Sequence, residues 1–161
     1  MNAQALPRIR LKTDETPPVG ANSYQAIPEM VEFTRRDAPP ASVRTLALGR
    51  VALALDGESG ELAGLQCYVK TGRWKREEES PPLMPDAEGV LFLEPPGGNE
   101  SLTYLPVEPR FLWHEASSSL RISLAEGAAL VFKVASCLLV GVDREGRLTD
   151  IWLTDLDLAL E

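Results

Sequence analysis

Histidine is almost absent from this chain of 161 residues, and His114 is its only one. Zinc sites built on several histidines, and histidine dyads, are therefore excluded. His114 lies in the segment FLWHEASSS, beside Glu115 and close to Ser117. A Ser-His-acid site needs its serine on a sharp turn with backbone donors for an oxyanion, and no G-x-S-x-G motif is present. We interpret His114 as a strand-end residue before a polar turn. An enzyme that pairs His114 with Ser117 or Cys67 is kept as an alternative hypothesis.

Cysteines and long apolar runs are also scarce. The two cysteines, Cys67 and Cys137, both lie inside apolar segments and form no C-x-x-C pair, which favours reduced, buried thiols over a disulfide. No run approaches the roughly 20 apolar residues that cross a bilayer, and the first 15 residues carry a proline and charges where a signal peptide has its apolar core. We expect a cytoplasmic protein without a membrane partner.

Basic residues are outnumbered, which argues against nucleic-acid binding. The net charge is −8 and the isoelectric point is near 4.8, whereas binding to a nucleic-acid backbone needs a basic face. The segment 71–80, TGRWKREEES, places basic residues around a tryptophan but continues into three glutamates, so we interpret it as a solvated strand exit. Residues 77–100 hold seven acidic and no basic side chains. A basic partner could be steered by Glu77, Glu78 and Glu79.

Acidic residues also recur along the last segment, LLVGVDREGRLTDIWLTDLDLALE. A calcium loop needs oxygen ligands at every second position around a central glycine, and this segment lacks that spacing. The apolar phase slips by one residue near Thr154, so a bulge, or the end of one strand and the start of another, is predicted there. Asp155, Asp157 and Glu161 then point to water. The sequence predicts no metal site and no cofactor.

Prolines divide the chain, because they interrupt both sheet ladders and helices. All thirteen lie within 7–40 or 81–109. Residues 1–43 are predicted to be an extended, proline-rich N-terminal arm with short strands at 9–11 and 30–33. Residues 44–161 are predicted to be a single β-rich domain.

The first proline-free block predicts a β-hairpin. A strand over 45–56 is followed by a turn with Gly57 and Gly60 and a second strand over 61–69, because glycine supplies the dihedrals of a tight reversal. The predicted facing pairs are Leu55–Leu62, Leu53–Gly64 and Ala52–Leu65.

The second block predicts a similar hairpin, with a strand over 129–142, the turn DREG at 143–146 and a strand over 147–153. A helix over 127–140 is the alternative, since alanine, leucine and lysine favour it; the valines and the turn that follows favour a strand. The opposite face carries Asp150 and Trp152 and is predicted to be mixed and half covered. The predicted core face consists of Leu130, Phe132, Val134, Leu138, Val140, Val142, Ile151 and Leu153.

Short strands separated by turn signals predict a mainly β fold, either an antiparallel sandwich or a partly closed barrel. The scarcity of titratable clusters favours a non-catalytic binding domain, such as an inhibitor, an immunity-type protein or an assembly adaptor that recognises a basic protein. Trp152 would then lie on an uncovered sheet face that serves binding or homodimer formation. Two alternatives remain: a carrier of a small apolar ligand in a barrel cavity, and a hydrolase-like enzyme centred on His114.

Overall fold

A computed structural model describes residues 6–94 and 101–159. Within these residues the chain forms sixteen strands, and a 3-10 turn spans Thr71–Arg73. The fold is mainly β, as predicted. The strands are β1 (Arg8–Lys12), β2 (Gly20–Gln25), β3 (Met30–Arg35), β4 (Val43–Leu48), β5 (Val51–Asp56), β6 (Leu62–Tyr68), β7 (Lys75–Arg76), β8 (Ala87–Glu88), β9 (Val90–Glu94), β10 (Leu102–Leu105), β11 (Arg110–His114), β12 (Ser119–Ser123), β13 (Leu130–Ala135), β14 (Leu138–Val142), β15 (Leu148–Leu153) and β16 (Asp157–Ala159).

The strands form two seven-stranded sheets and one two-stranded ribbon. The first sheet has the order β10-β4-β5-β6-β3-β2-β16, the second has the order β7-β11-β12-β15-β14-β13-β8, and β1 pairs with β9 in the ribbon. In both sheets five antiparallel strands are flanked by one parallel strand at each edge. Neither sheet closes on itself within the described residues, and this arrangement is consistent with the predicted sandwich.

The two sheets share one hydrophobic core. Strand β5 alternates between buried and half-buried positions, as expected when one face of a strand packs inward. Each buried leucine contributes about 1.5–3 kcal/mol by leaving water, so this core is the main stabilising feature. Core residues of the first sheet are Phe33, Leu46, Leu48, Val51, Leu53, Leu55 and Leu65, and those of the second are Leu120, Ile122, Leu138, Val140, Ile151 and Leu153.

Both long predicted strands are interrupted by a turn. The segment 45–56 contains a reversal at Gly49 and Arg50, which separates β4 from β5. Gly49 has a φ of +62°, and a Cβ there would lie 2.1 Å from the carbonyl oxygen of Val107. The segment 129–142 likewise reverses between β13 and β14. The prediction of single strands was wrong in both cases, because each turn is only two residues long and has apolar residues on both sides.

The predicted register of the first hairpin holds only next to its turn. Leu55 pairs with Leu62, as predicted, but Ala54 then pairs with Gly64. Ala63 is the extra residue of a bulge. Leu53 consequently faces Leu65, which corrects the predicted Leu53–Gly64 and Ala52–Leu65 pairs.

The hairpin of β14 and β15 is confirmed, with a strand and not a helix over most of 127–140. The Asp143 carboxylate accepts the backbone N–H groups of Glu145 and Arg147, both at 2.9 Å, and Gly146 has a φ of +78°. Most of the predicted core face is buried, but Leu130 is 44% exposed. Its strand β13 is followed outward only by the two-residue strand β8, so this end of the sheet is thinly covered.

Strands β1, β2 and β3 fall within the segment predicted to be an arm. Strands β2 and β3 lie between β6 and β16 in the first sheet. Strand β1 pairs along its whole length with β9, and a bridge from Arg8 to Arg147 connects this ribbon to the second hairpin. The short strands predicted at 9–11 and 30–33 are thus confirmed. The division of the chain at residue 43 stays a prediction.

The phase slip near Thr154 marks a crossing between the sheets. Strand β15 ends in the second sheet, and β16 pairs with β2 in the first. The Asn22 side chain fixes this crossing by donating to the carbonyl oxygens of Thr154 at 2.7 Å and Cys137 at 2.8 Å. Asp155 and Asp157 are exposed, as predicted. Glu161 lies outside the described residues.

Candidate functional site

The acidic segment 77–86 crosses the outer face of the second sheet. It connects β7 at one edge of that sheet to β8 at the other edge. Seven strands span about 29 Å, and ten extended residues reach only about 33 Å. The segment, called the strap from here on, therefore runs almost straight across the sheet. Its residues Leu83 and Met84 are 86% and 87% exposed.

The predicted binding residues occupy different environments. Glu77 forms a salt bridge of 3.2 Å with Arg121, and its side chain is 18% exposed. Glu78 and Glu79 are exposed. Trp152 is only 7% exposed, and the Arg121 guanidinium lies 5.2 Å from the centre of its ring. The face that carries Trp152 is covered, contrary to expectation.

Arg121 also binds a buried carboxylate. Its Nε atom lies 3.0 Å from Oδ1 of Asp150, which is 1% exposed, and Thr149 Oγ1 donates to Oδ2 at 2.9 Å. Burial by itself would lower the pKa of Arg121, but the charge of Asp150 and the hydrogen bonds to Asp150 and Glu77 raise it above its ordinary value. Asp150 was predicted to be half covered and is instead part of an internal ion pair.

His114 and Ser117 are in contact, as the enzyme hypothesis requires. His114 Nδ1 lies 2.6 Å from Ser117 Oγ. Ser117 Oγ donates to Ser119 Oγ at 3.0 Å, and Ser119 Oγ donates to the carbonyl oxygen of Ser117 at 3.3 Å. The imidazole tautomer decides which of His114 and Ser117 is the donor in this hydrogen bond. These bonds hold the β11–β12 turn, where Ser118 has a φ of +50°.

Cys67 is not brought to this cluster. It pairs with Val31 and Val51 inside the first sheet and is fully buried, whereas His114 ends a strand of the second sheet. Burial raises the pKa of the Cys67 thiol to about 12. The thiolate is the nucleophilic form of cysteine, so this side chain is unreactive in the folded chain.

The described residues contain neither a metal-binding cluster nor a membrane-spanning helix. Among residues 6–94 and 101–159, no group of three or more histidine, cysteine, aspartate or glutamate side chains is placed to hold a metal ion. The same part of the chain has no helix of the length and apolarity needed to span a membrane.

A cavity of about 540 Å³ lies on the outer face of the first sheet. Its floor is a row of small residues on four adjacent strands, and neighbours in the row are direct pairing partners. No large side chain rises from this row, so space remains above the sheet. One wall is the connection from β3 to β4, which includes Pro39 and Pro40. The row consists of Thr34, Gly64, Ala54 and Thr45. We call this cavity the groove.

The groove is ringed by acidic side chains. Four carboxylates and one guanidinium line it, which gives −4 + 1 = −3. Arg35 binds Glu61 and Asp37 and donates to the carbonyl oxygen of Leu62 at 3.0 Å. The charged lining residues are Glu32, Asp37, Asp56, Glu61 and Arg35.

Two of these carboxylates are held in their charged form. The hydrogen bond from Arg35 lowers the pKa of Asp37 below its ordinary value. Backbone N–H groups of Ser59 and Glu58, at 3.1 Å and 2.8 Å from Asp56 Oδ1, lower the pKa of Asp56. Asp37 and Asp56 therefore keep their negative charges below the pH at which ordinary aspartates take up protons.

The sequence interpretation missed the groove because its charges lie far apart along the chain. Asp56 and Glu61 were assigned only to the two strands of a hairpin, and Asp37 only to the arm. The outward residues of β5 and β6 are small, and this is visible in the sequence. They form the floor of a cavity only because the strand register places them beside Thr34 and Thr45.

No protein-family model matches the sequence, and no curated protein matches it. The groove and its charges are therefore the basis on which a function can be proposed.

Proposed function

We propose that this protein is a non-catalytic β-sandwich domain of the cytoplasm that binds a basic segment of a protein partner in the groove. The observation that supports this most directly is the cavity of about 540 Å³ with four carboxylates and one guanidinium in its lining. An inhibitor, an immunity-type protein or an assembly adaptor would each use such a site. The partner segment lies along the outer face of the first sheet.

The lining of the groove suits lysine and arginine side chains. Their aliphatic stems would pack on Pro39, Pro40 and the small floor residues, while their charged ends reach the carboxylates. Asp37 and Glu61 are 54% and 29% exposed and are positioned by Arg35. A pre-positioned carboxylate loses little side-chain entropy when a cation binds, which favours affinity.

The charge distribution favours this groove over an apolar-ligand cavity. The interior between the sheets is filled by the large side chains of the shared core, whereas the groove is open to water and has five charged side chains in its lining. Its charge would also attract a basic partner before contact. Glu78 and Glu79, two of the four residues predicted from the sequence to bind the partner, lie on the strap over the other sheet. We assign them only a contribution to the long-range field.

A matched pair of substitutions tests the groove. Ala54→Leu fills its floor, whereas Ala47→Leu adds the same group on the same sheet face at a position that does not line it. The wild-type protein is used to select binders from a displayed library of random 12-residue peptides at low salt. We expect lysine and arginine to be enriched. The affinity of the selected peptides should fall at least tenfold with Ala54→Leu and less than twofold with Ala47→Leu.

Salt dependence is the second measurement. Because carboxylates supply the attraction, the affinity of the selected peptides should fall steadily as ionic strength rises. The proposal is rejected if no peptide is enriched, if the enriched peptides lack basic residues, or if the two alanine substitutions weaken binding equally.

A further inference from the structure

A second cavity lies at the opposite end of the same sheet face. It measures about 580 Å³ and is lined by the β2–β3 turn, by Arg50 of the β4–β5 turn and by the chain that leaves β6. Three of its lining residues are cations, Arg50, Lys70 and Arg73, and one is an acid, Glu29, which gives +3 − 1 = +2. We call this cavity the basic pocket.

The three cations form no salt bridge with any acidic side chain of the described residues. Within residues 6–94 and 101–159, none of the side chains of Arg50, Lys70 and Arg73 forms a salt bridge or a side-chain hydrogen bond. Like charges that converge on one cavity repel each other, and this repulsion is relieved when an anion binds between them. In a chain with a net charge of −8, such a cluster marks a site for an acidic group.

The backbone of the basic pocket is fixed by local hydrogen bonds. The N–H of Val69 donates to the carbonyl oxygen of Glu29 at 3.1 Å, which joins the β2–β3 turn to the end of β6. The N–H of Arg73 donates to the carbonyl oxygen of Lys70 at 2.9 Å, and this bond closes the 3-10 turn between these two basic residues. The basic side chains therefore start from defined positions around the cavity.

The groove and the basic pocket lie on one continuous face. Along β6 the outward positions are Gly64 and Gln66, which line the groove, and then Tyr68, which lines the basic pocket and is 57% exposed. On β5 the same face runs from Asp56 to Arg50. Six residues of strand separate the two ends, a distance of about 20 Å.

We infer that this face binds one extended protein segment of two opposite charges. Its basic side chains lie in the groove, and an aspartate or glutamate about six residues away lies in the basic pocket, since an extended segment advances at the same rate as the strand beneath it. This inference rests on the proposed function and defines the class of partner more closely. Where the two sites approach each other on β6, Gln66 lines the groove and donates to Glu32 at 3.0 Å, and Tyr68 lines the basic pocket.

The selected peptides test this spacing. We expect enriched sequences to carry lysine or arginine and, about six residues away on one side, aspartate or glutamate. Each peptide is then compared with a version in which the acidic residues are replaced by alanine. The double variant Lys70→Gln/Arg73→Gln should bind the parent peptide about tenfold more weakly, because two partly exposed ion pairs are lost. It should bind the alanine version as the wild type does.

The control is Arg144→Gln, which removes an exposed cation from the β14–β15 turn of the other sheet. It should change the affinity for either peptide less than twofold. If the enriched peptides are basic but carry no acidic residue at a fixed spacing, or if the double variant weakens both peptides equally, the inference fails while the groove proposal stands. If the library yields no basic binders, both fail.

Discussion

Replacing Arg121 by methionine tests the internal ion pair of the second sheet. Arg121 lies on β12 and binds Asp150 on β15 and Glu77 at the start of the strap. Methionine keeps an unbranched apolar side chain at this position but removes the guanidinium, which lies over the Trp152 ring. The Asp150 carboxylate then stays 1% exposed with the Thr149 hydroxyl as its remaining described side-chain donor.

The expected loss is large because one charge stays buried without its partner. Breaking a buried pair in this way costs about 3–5 kcal/mol. The Arg121 side chain is 27% exposed and Thr149 still donates to the carboxylate. We therefore expect Arg121→Met to lower the free energy of unfolding by about 3 kcal/mol at pH 7, the lower end of that range. Glu77→Gln, which leaves the Asp150 pair intact, should cost about 0.5 kcal/mol.

Urea unfolding of four proteins measures these values: the wild type, Arg121→Met, Glu77→Gln and the double variant Arg121→Met/Asp150→Leu. Removing both charges eliminates the stranded carboxylate, so the double variant should be about 1–2 kcal/mol more stable than Arg121→Met alone. The reasoning is refuted if Arg121→Met costs less than about 1 kcal/mol, or if the double variant is the less stable of the two.

Two further predictions concern single residues. Gly49→Ala should lower the free energy of unfolding by about 3 kcal/mol, because Gly49 has a φ of +62° and a Cβ there would meet the Val107 carbonyl oxygen at 2.1 Å. The control Gly72→Ala, with no atom within 4 Å of its Cβ, should be neutral. Equal effects of the two substitutions would contradict the strain assigned to residue 49. Cys67, with a pKa of about 12, and Cys137, whose pKa is also raised by burial, should react with a thiol reagent only after unfolding; rapid labelling of the folded protein would show that the thiols are accessible.

Local turn chemistry made parts of the fold predictable from the sequence. Asp143 and Gly146 define the β14–β15 turn, and Asp56 and Gly60 define the β5–β6 turn, because a short carboxylate and a glycine with positive φ each have a specific place in such turns. The turn at Gly49 carries no such polar signal and lies between alanines and leucines. It was therefore absorbed into one long predicted strand.

The groove depended on contacts that no local pattern reveals. Its floor requires Ala54 to face Gly64, and this pairing exists only because Ala63 bulges out of the ladder. A shift of one residue would turn leucines into the groove and the small residues into the core. The basic pocket, likewise, brings Arg50 to Lys70 and Arg73 from another segment of the chain. The net charge of −8 did not indicate either site, because it is a sum in which the positive charge of the basic pocket is cancelled by acidic residues elsewhere.

The outer faces of the two sheets differ in a way that indicates which one meets a partner. All residues of β14 and β15 are buried, so these strands are covered on both faces. The strap crosses their outer side, and Arg121 fastens its first residue to Asp150. Strand β5 of the first sheet is instead buried at every second position only. Its small outward residues, Ala52 and Ala54, line the groove. The chain itself covers one sheet and leaves the other accessible, so a binding segment has the first sheet as its surface.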